Sequence, residues 1–291
     1  MDKLRRTMLF MPGNNPSMLQ DAAILGADSI ILDLEDAVSL TEKDSARILV
    51  REAIKTIDYS QVEVVVRVNP LDTEFGALDV DMIARVKPDT LLIPKADEEE
   101  IKLVAKMLDA IEQEEGYKAE SIKIMPLVET AIGLENVYNI IKASKRVVGV
   151  LLGGEDLTSD LGIKRTKEGE EIFYARNRVA TACRALKVDS LDTPFTDTND
   201  YEGLERDTAK AKSLGLTGKA AINPRQIDVI HSVFAPTEAE LKHALRILAA
   251  MKEAEKEGKG VFSLDGKMVD APVINRAITT VGLGQRLGLI S

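Results

Sequence analysis

The sequence predicts an α/β protein with the fold of a closed (β/α)₈ barrel. Short apolar segments rich in β-branched residues alternate along the chain with segments of helical character. Eight such pairs occur within about 230 residues, and this alternation and spacing predict parallel strands that close into a barrel. A doubly wound open sheet is the alternative. Against it, no Gly-x-Gly-x-x-Gly follows the first strand and no Walker-type phosphate loop occurs in the chain.

Each predicted strand is a short apolar run that stops at a proline, a glycine or a polar side chain. The third strand is the clearest because valine dominates it. The sixth ends in two glycines and two acids, as a buried parallel strand does where its carboxyl end opens onto a site. The predicted strands are residues 7–11, 29–34, 62–70, 90–93, 121–128, 147–152, 188–192 and 218–222.

The segments between the strands carry helix signals. A helix over residues 16–25 begins at a proline and ends before Gly26, and the helix 41–56 has Thr41 as its expected N-cap. Acids at the start of the helix 98–115 suit the positive end of the helix dipole. The other predicted helices are residues 77–86, a helix ending at Ser144, residues 172–186, a helix ending at Ser213, residues 238–257, and a last one beginning near Pro272.

The C-terminal part of the chain does not continue the repeat. A glycine-rich segment, residues 258–267, separates its two predicted helices. We therefore divide the chain into a barrel, residues 1–235, and a C-terminal helix and lid segment, residues 236–291. Because this segment is not a ninth unit, we expect it to cover a site or to pack on a neighbouring subunit of a homo-oligomer.

Composition limits the function. The chain has 291 residues, of which 45% are hydrophobic and 30% charged, so it can bury a sizeable core. Its net charge is −10 and no basic run contains aromatic residues, which argues against a nucleic-acid partner. The single cysteine, Cys183, is expected to pack within a helix and fits a reducing cytoplasm. We find no signal peptide and no apolar run of transmembrane length, and we expect no membrane contact.

Charged residues stand at the carboxyl ends of five predicted strands, where barrel enzymes place their active sites. Acids from the second, fifth and sixth strands would repel one another at one mouth unless a cation lay among them. Mg²⁺ is the natural candidate, because it favours one or two carboxylates together with water and substrate oxygens. No His or Cys spacing suggests zinc, and we expect His231 and His243 at the surface or in packing. The strand-end residues are Glu35 and Asp36, Arg67, Lys95, Glu129, and Glu155 with Asp156.

Structural roles for these residues remain open. Glu129 can cap the next helix or stand in its first turn, and Asp156 can cap the turn that follows it. An arginine at position 67 would be a costly core residue without an anion, so it either pairs with Glu35 or Asp36 or binds substrate.

Two further strand-end groups have more than one interpretation. Lys95 can form a Schiff base or, with so many acids nearby, a strand-end ion pair. Asp33, Glu35 and Asp36 can form a solvated acidic loop or hold waters of the metal.

Several of these motifs together resemble a known family. They are residues 4–13, 26–38, 65–69, 126–130 and 153–157. In this order they are similar to the citrate lyase beta subunits, which are citryl-thioester lyases of the magnesium-dependent HpcH/HpaI aldolase superfamily. The resemblance extends from about residue 4 into the C-terminal tail, and the ordered set is far more specific than any single motif.

The resemblance implies a role for each strand-end residue. Glu129 and Asp156 would bind Mg²⁺, with Glu35 and Asp36 behind them. Arg67 would hold the carboxylate or carbonyl side of an oxo-acid, so that Arg67 and Glu129 are the expected substrate-binding residues.

The family also places an aspartate on a C-terminal lid, often supplied by a neighbouring subunit, and Asp270 is the matching position. Without the resemblance, Asp270 is best interpreted as the N-cap of the helix that begins near Pro272.

The implied reaction is a retro-Claisen cleavage of citryl-thioester to oxaloacetate and acetyl-thioester. It needs removal of the proton from the substrate hydroxyl, a Lewis acid on the emerging ketone, and protonation of the thioester enolate. Arg67 would make a bidentate contact to a carboxylate of the substrate, and Asp270 would protonate the enolate carbon. The thioester would sit on a phosphopantetheine-like arm of CoA or of an acyl carrier gamma subunit, with a citrate lyase alpha subunit as a further partner. The alternatives are a stand-alone citramalyl-CoA or malyl-CoA lyase, and a non-catalytic scaffold subunit.

Overall fold

The computed structural model describes residues 3–256, 258 and 260–290. The chain divides into two compact units, of which the first ends at His231 and the second begins at Ser232. Among the helices in these described ranges, none is long and apolar enough to cross a membrane.

The first unit is a closed barrel of eight parallel strands in sequence order, in which β8 pairs with β1. The predicted (β/α)₈ fold is therefore confirmed. The observed strands start and end within a few residues of the predicted ones. They are β1 (Thr7–Pro12), β2 (Ser29–Asp33), β3 (Glu63–Arg67), β4 (Thr90–Ile93), β5 (Lys123–Val128), β6 (Gly149–Leu152), β7 (Asp189–Asp192) and β8 (Gly218–Ala221).

Helices connect these strands, and two of them, α6 and α9, are absent from the sequence prediction. Thr41 is not an N-cap as predicted, because it lies within a short 3₁₀ turn, Leu40–Glu42, that precedes the helix. The helices of this unit are α1 (Pro16–Asp21), α2 (Lys43–Thr56), α3 (Gly76–Ala84), α4 (Glu98–Glu114), α5 (Ala131–Lys142), α6 (Gly154–Asp160), α7 (Phe173–Leu186) and α8 (Tyr201–Ser213). The division between the two units falls within α9 (Ile227–Phe234).

The barrel interior is filled by apolar side chains to which all eight strands contribute. Because side chains alternate along a strand, each strand presents every second residue to this interior. On β3 the sequence of inward positions is Glu63, Val65 and Arg67, so charge is confined to the two ends. The interior cluster consists of Met8, Ile31, Val65, Leu92, Met125, Leu127, Leu151, Leu191 and Ala220.

The amino-terminal end of the barrel is closed by an ion pair. Arg5 donates two hydrogen bonds of 2.7 Å to the carboxylate of Glu63, which also accepts from the hydroxyls of Ser29 and Thr90. These polar groups are hydrogen-bonded to one another at the amino-terminal end of the barrel. We therefore look for the active site at the carboxyl end.

The second unit contains α10 (Glu238–Lys256), an antiparallel hairpin of β9 (Phe262–Leu264) and β10 (Lys267–Val269), and α11 (Ala271–Arg286). The hairpin was not predicted. Its two-residue turn is Asp265-Gly266, with both φ angles positive (52° and 75°), and an Asp-Gly pair is a strong hairpin signal. Glu257, where the penultimate helix was predicted to end, and Lys259 of the predicted glycine-rich segment lie outside the described residues.

Candidate active site

A cavity of about 380 Å³ opens at the carboxyl ends of the barrel strands. The predicted site residues Asp36, Arg67, Glu129 and Asp156 line it together. The full lining is Phe10, Asp33, Asp36, Ala37, Arg67, Leu127, Glu129, Leu151, Leu152, Gly153, Gly154, Glu155, Asp156, Thr193, Pro194 and Ile222.

Arg67, the last residue of β3, is held by Asp33, the last residue of β2. Its Nε and Nη2 each donate a 2.7 Å hydrogen bond to one carboxylate oxygen of Asp33. The two residues are direct register partners on adjacent parallel strands. Burial lowers the pKa of Arg67, but the hydrogen bond and charge of Asp33 outweigh burial and leave the pKa raised. Arg67 therefore stays charged, with its guanidinium plane fixed.

The remaining nitrogen of Arg67 meets two more acids. Nη1 lies 3.0 Å from Oε2 of Glu35 and donates a 3.2 Å hydrogen bond to Asp36. The Phe10 ring stands 5.1 Å from the centre of the guanidinium, so one face of the cation is covered by an aromatic ring. The structure thus places Glu35 and Asp36 against Arg67, one of the two arrangements that the sequence left open.

Glu129 directly follows β5 and is only 2% exposed. Its Oε1 accepts a 2.8 Å hydrogen bond from the main-chain N–H of Lys95. The pKa of Glu129 is raised to about 8, chiefly by burial and also by the nearby carboxylates of Glu35 and Asp156, against the hydrogen bond from Lys95.

Glu35 shows the same electrostatic conflict. Burial raises its pKa to about 7, although Arg67 opposes the shift, and Asp36 and Asp33 add to it. Within the described part of the chain, its buried Oε2 has no hydrogen-bond partner. Two buried carboxyl groups with pKa values this high mark a place where negative charge is crowded.

Asp156 lies in the first turn of α6, the short helix that follows β6. The start of this helix is fixed by Thr193, whose hydroxyl accepts a 2.9 Å hydrogen bond from the N–H of Gly154. Thr193 is held in turn by Lys219, which donates to its carbonyl at 2.8 Å and to the buried carboxylate of Asp192 at 2.5 Å. The position of Asp156 therefore depends on a network anchored in β7 and β8.

The donor set fits a hard cation. Two carboxylates from neighbouring strand ends, Glu129 and Asp156, face one cavity. A divalent cation would favour the ionised form of Glu129, whose pKa is raised by burial and, to a smaller extent, by the neighbouring carboxylates. Among the described residues no group of three or more His, Cys, Asp or Glu side chains is arranged to hold a metal. Two protein carboxylates leave coordination positions for water and substrate, as Mg²⁺ sites commonly do.

Other predicted residues lie elsewhere. Asp270 belongs to the second unit, where it caps α11 by accepting a hydrogen bond from the N–H of Val273. Its role in catalysis stays a prediction. His231 contacts Thr7 at the start of β1, His243 is exposed on α10, and Cys183 is buried in α7, as expected for packing and surface residues.

The sequence did not single out four residues of this site: Asp33 as the partner of Arg67, the main chain of Lys95, Gly153 beside Glu129, and Thr193. Asp33 could have been found, because its register places it opposite Arg67 at the ends of consecutive strands. The contributions of Lys95 and Thr193 depend on backbone geometry that no sequence pattern signals.

The fold and the site are those of a (β/α)₈-barrel enzyme, with a charged cavity at the carboxyl ends of the strands. The family model for HpcH/HpaI aldolase/citrate lyase matches residues 6–224. The chain belongs to the HpcH/HpaI aldolase/citrate lyase family, and the resemblance seen in the sequence is confirmed.

Several related proteins are similar to this chain over nearly its whole length. It is 46% identical over 278 residues to citrate lyase subunit beta of Leuconostoc mesenteroides subsp. cremoris, covering 95% of this chain and 92% of that one. It is 33% identical to the mitochondrial citramalyl-CoA lyase of Homo sapiens, covering 96% and 85%. It is also similar to the structure of protein CitE from Mycobacterium tuberculosis in complex with magnesium, acetoacetate and coenzyme A. That similarity has a TM-score of 0.80 at 30% identity and covers 97% and 98% of the two chains.

Proposed function

We propose that this chain is a carbon–carbon lyase, a citrate lyase beta subunit that cleaves citryl-thioester to oxaloacetate and acetyl-thioester with the help of Mg²⁺. The observation that carries the proposal is the convergence of Glu129, Asp156 and Arg67 on one cavity. The similarity to citrate lyase subunit beta over 95% of this chain supports the choice of substrate.

Glu129 and Asp156 are the residues that would hold the metal. Held by these residues, Mg²⁺ would supply a Lewis acid for the oxygen that becomes the ketone of oxaloacetate. Crowded acids around this position, including Glu35, lower the cost of bringing a cation into the cavity. The related structure from Mycobacterium tuberculosis, which contains magnesium, supports this assignment.

Arg67 orients the substrate. Its bidentate pairing with Asp33 fixes the plane of the guanidinium, and Nη1 is the nitrogen that can turn from Asp36 to a carboxylate of the substrate. Asp36 has a side chain that is 62% exposed, so its hydrogen bond to Arg67 is the easiest of these contacts to exchange. Held in this way, the oxo-acid half of the substrate keeps the bond to be broken in one orientation.

Asp270 is assigned the proton transfer. Cleavage removes the proton of the substrate hydroxyl, breaks the bond between the α and β carbons, and leaves an enolate on the acetyl-thioester. A carboxylic acid on the C-terminal segment can protonate the enolate carbon. In the reverse condensation the same carboxylate removes that proton. We place Asp270 on a lid, in the same chain or in a neighbouring subunit of a homo-oligomer.

The thioester arm suggests the partners. We propose that the substrate is carried on CoA or on the phosphopantetheine-like arm of an acyl carrier gamma subunit, and that a citrate lyase alpha subunit supplies it in the cytoplasm. A relative named as a subunit of citrate lyase supports such an assembly. The net charge of −10 argues against nucleic acid as a further partner.

A stand-alone citramalyl-CoA lyase is the second candidate, and the 33% identity to the human enzyme of that name favours it. The two candidate functions are distinguished by an assay in which the purified chain with Mg²⁺ receives citryl-CoA or citramalyl-CoA. The assay measures the release of oxaloacetate or pyruvate. Chelator-sensitive release of oxaloacetate is the expected result, and release of pyruvate alone would establish the second candidate.

If neither ester releases product, the assay is repeated with the substrate on the acyl carrier. A chain that stays inactive with its carrier and binds no Mg²⁺ in calorimetry would be a non-catalytic scaffold subunit.

A further inference from the structure

Lys95 has an unusual backbone conformation at the edge of the cavity. Its φ angle is +47°, in the left-handed region that residues other than glycine rarely adopt. Such strain persists only where the surrounding structure enforces it, and it concentrates at functional sites. The side chain of Lys95 is exposed, so packing of that side chain does not explain the conformation.

The conformation aims the main chain of Lys95 at a neighbouring strand. The residue follows Pro94 at the end of β4, which pairs with β5. Its N–H donates a 2.8 Å hydrogen bond to Oε1 of Glu129, just beyond the end of β5. The next residue, Ala96, bonds back to the carbonyl of Leu127 on the same strand. The backbone N–H groups of Lys95 and Ala96 therefore connect the end of β4 to the end of β5, and the N–H of Lys95 binds the carboxylate of Glu129.

The opposite side of Glu129 is closed by Gly153. A Cβ atom on Gly153 would stand 2.6 Å from Cβ and 2.8 Å from Oε2 of Glu129, so only glycine leaves room for this side chain. One carboxylate oxygen is thus fixed by an amide, and the other lies against a bare backbone. Few other orientations remain open to a carboxylate enclosed in this way.

We infer that Lys95 is a positioning residue that acts through its main-chain amide, which orients the carboxylate of Glu129 toward the metal. The inference rests on the Mg²⁺ site proposed above. It assigns the function of Lys95 to the backbone and not to the ammonium group, so neither a Schiff base nor a side-chain ion pair is needed. Partners that orient a metal ligand typically contribute 10- to 100-fold to metal affinity.

The chain offers a control in Lys187, a lysine at a different place that also has a positive φ angle. Its φ is 59°, it ends α7, and its N–H bonds only to carbonyls of that helix. It precedes β7 and so lies at the amino-terminal end of the barrel, away from the cavity. A β-branched residue is disfavoured at a positive φ at both positions. Both valine variants should therefore lose stability, and only the variant at Lys95 should bind Mg²⁺ more weakly.

The experiment measures Mg²⁺ affinity by calorimetry on the full chain, with thermal unfolding recorded without metal. We expect Lys95→Val to bind Mg²⁺ at least about tenfold more weakly than wild type, while Lys187→Val unfolds at lower temperature and binds Mg²⁺ normally. Lys95→Gly keeps the amide and accepts a positive φ, so it should bind about tenfold more tightly than Lys95→Val. Equal losses in the glycine and valine variants would show that the side chain acts, and wild-type affinity in Lys95→Val would overturn the inference directly.

A second measurement needs neither metal nor the valine variant. In ¹⁵N-lysine-labelled protein held at a pH above about 8, where Glu129 is ionised, the Lys95 amide should shift when Glu129→Gln removes the charge from its acceptor, while the Lys187 amide stays unchanged. An unmoved Lys95 resonance would refute the inference. Failure of the wild type to bind Mg²⁺ would instead refute the proposed metal site, and with it the role given to Lys95.

Discussion

Replacing Gly153 by alanine tests whether the position of Glu129 is set by the lack of a side chain beside it. The new methyl carbon would stand 2.6 Å from Cβ and 2.8 Å from Oε2 of Glu129, and 3.3 Å from Leu127. Glu129 is only 2% exposed, and the open space next to its side chain is the cavity that it lines. Its shift would also stretch the 2.8 Å hydrogen bond from Lys95.

The cost can be estimated from these contacts. Overpacking a buried site typically costs about 1 to 3 kcal/mol, so we expect a loss of about 2 kcal/mol in the free energy of unfolding. In a domain of this size that corresponds to a fall in Tm of roughly 4 to 8 °C. Displacement of a metal ligand should weaken Mg²⁺ binding and reduce kcat/KM by about 10- to 100-fold.

The assays are calorimetric titration with Mg²⁺ and oxaloacetate release from citryl-CoA, with Gly282→Ala as the control. Gly282 lies within α11, and a Cβ there meets no atom within 4 Å. Because alanine is the better helix former, this control should be neutral or slightly stabilising. Gly153→Ala with wild-type Mg²⁺ affinity and turnover would refute the idea that Gly153 fixes a metal-binding carboxylate.

The other predictions concern the substrate, the proton and the charge. Arg67→Lys should raise KM at least about tenfold, because an ammonium cannot make the bidentate contact to Asp33 that orients the guanidinium; an unchanged KM would remove Arg67 from substrate binding. Asp270→Asn should keep Mg²⁺ and oxo-acid binding but lose about 100-fold or more in turnover, and full turnover would exclude it from proton transfer. In metal-free protein, the pKa of Glu129 is raised by burial from 4.5 to about 8. The folded state therefore binds more protons than the unfolded state, so the free energy of unfolding should fall as pH rises from 4.5 to about 8. Thermal unfolding should show that Tm depends less on pH in Glu129→Gln than in the wild type.

The sequence was sufficient for the fold because its signals are local and repeated. Most strands are short apolar runs, and the helices between them carry starts and stops, so the count of eight units predicted the barrel. It failed at α6, because Gly153 to Asp156 indicated a loop and a site, and the same residues also begin a short helix. It also passed over Asp265-Gly266, where an Asp-Gly turn signal was present and unused.

The site was only partly predictable, for a physical reason. Charged residues at strand ends can be identified from sequence because the barrel brings those ends together. What orients them cannot, because it depends on single backbone angles and on the space left by an absent side chain. The N–H of Lys95 reaches Glu129 only because φ is +47°, and lysine is not a residue whose identity predicts that angle.

Charge balance links the fold to the proposed chemistry. Asp33, Glu35, Asp36, Glu129 and Asp156 crowd one end of the barrel. Arg67 is the cation that most directly faces the first three, and Lys43 is turned to the carbonyls of Leu34 and Glu35. Without a metal, burial and, to a smaller extent, the neighbouring acids raise the pKa of Glu35 to about 7 and that of Glu129 to about 8. A divalent cation resolves the excess of negative charge without protonation. Arg67 is already matched by Asp33, so in the proposed site the metal, and not the arginine, would neutralise Glu129 and Asp156. The arginine is then left to recognise the substrate.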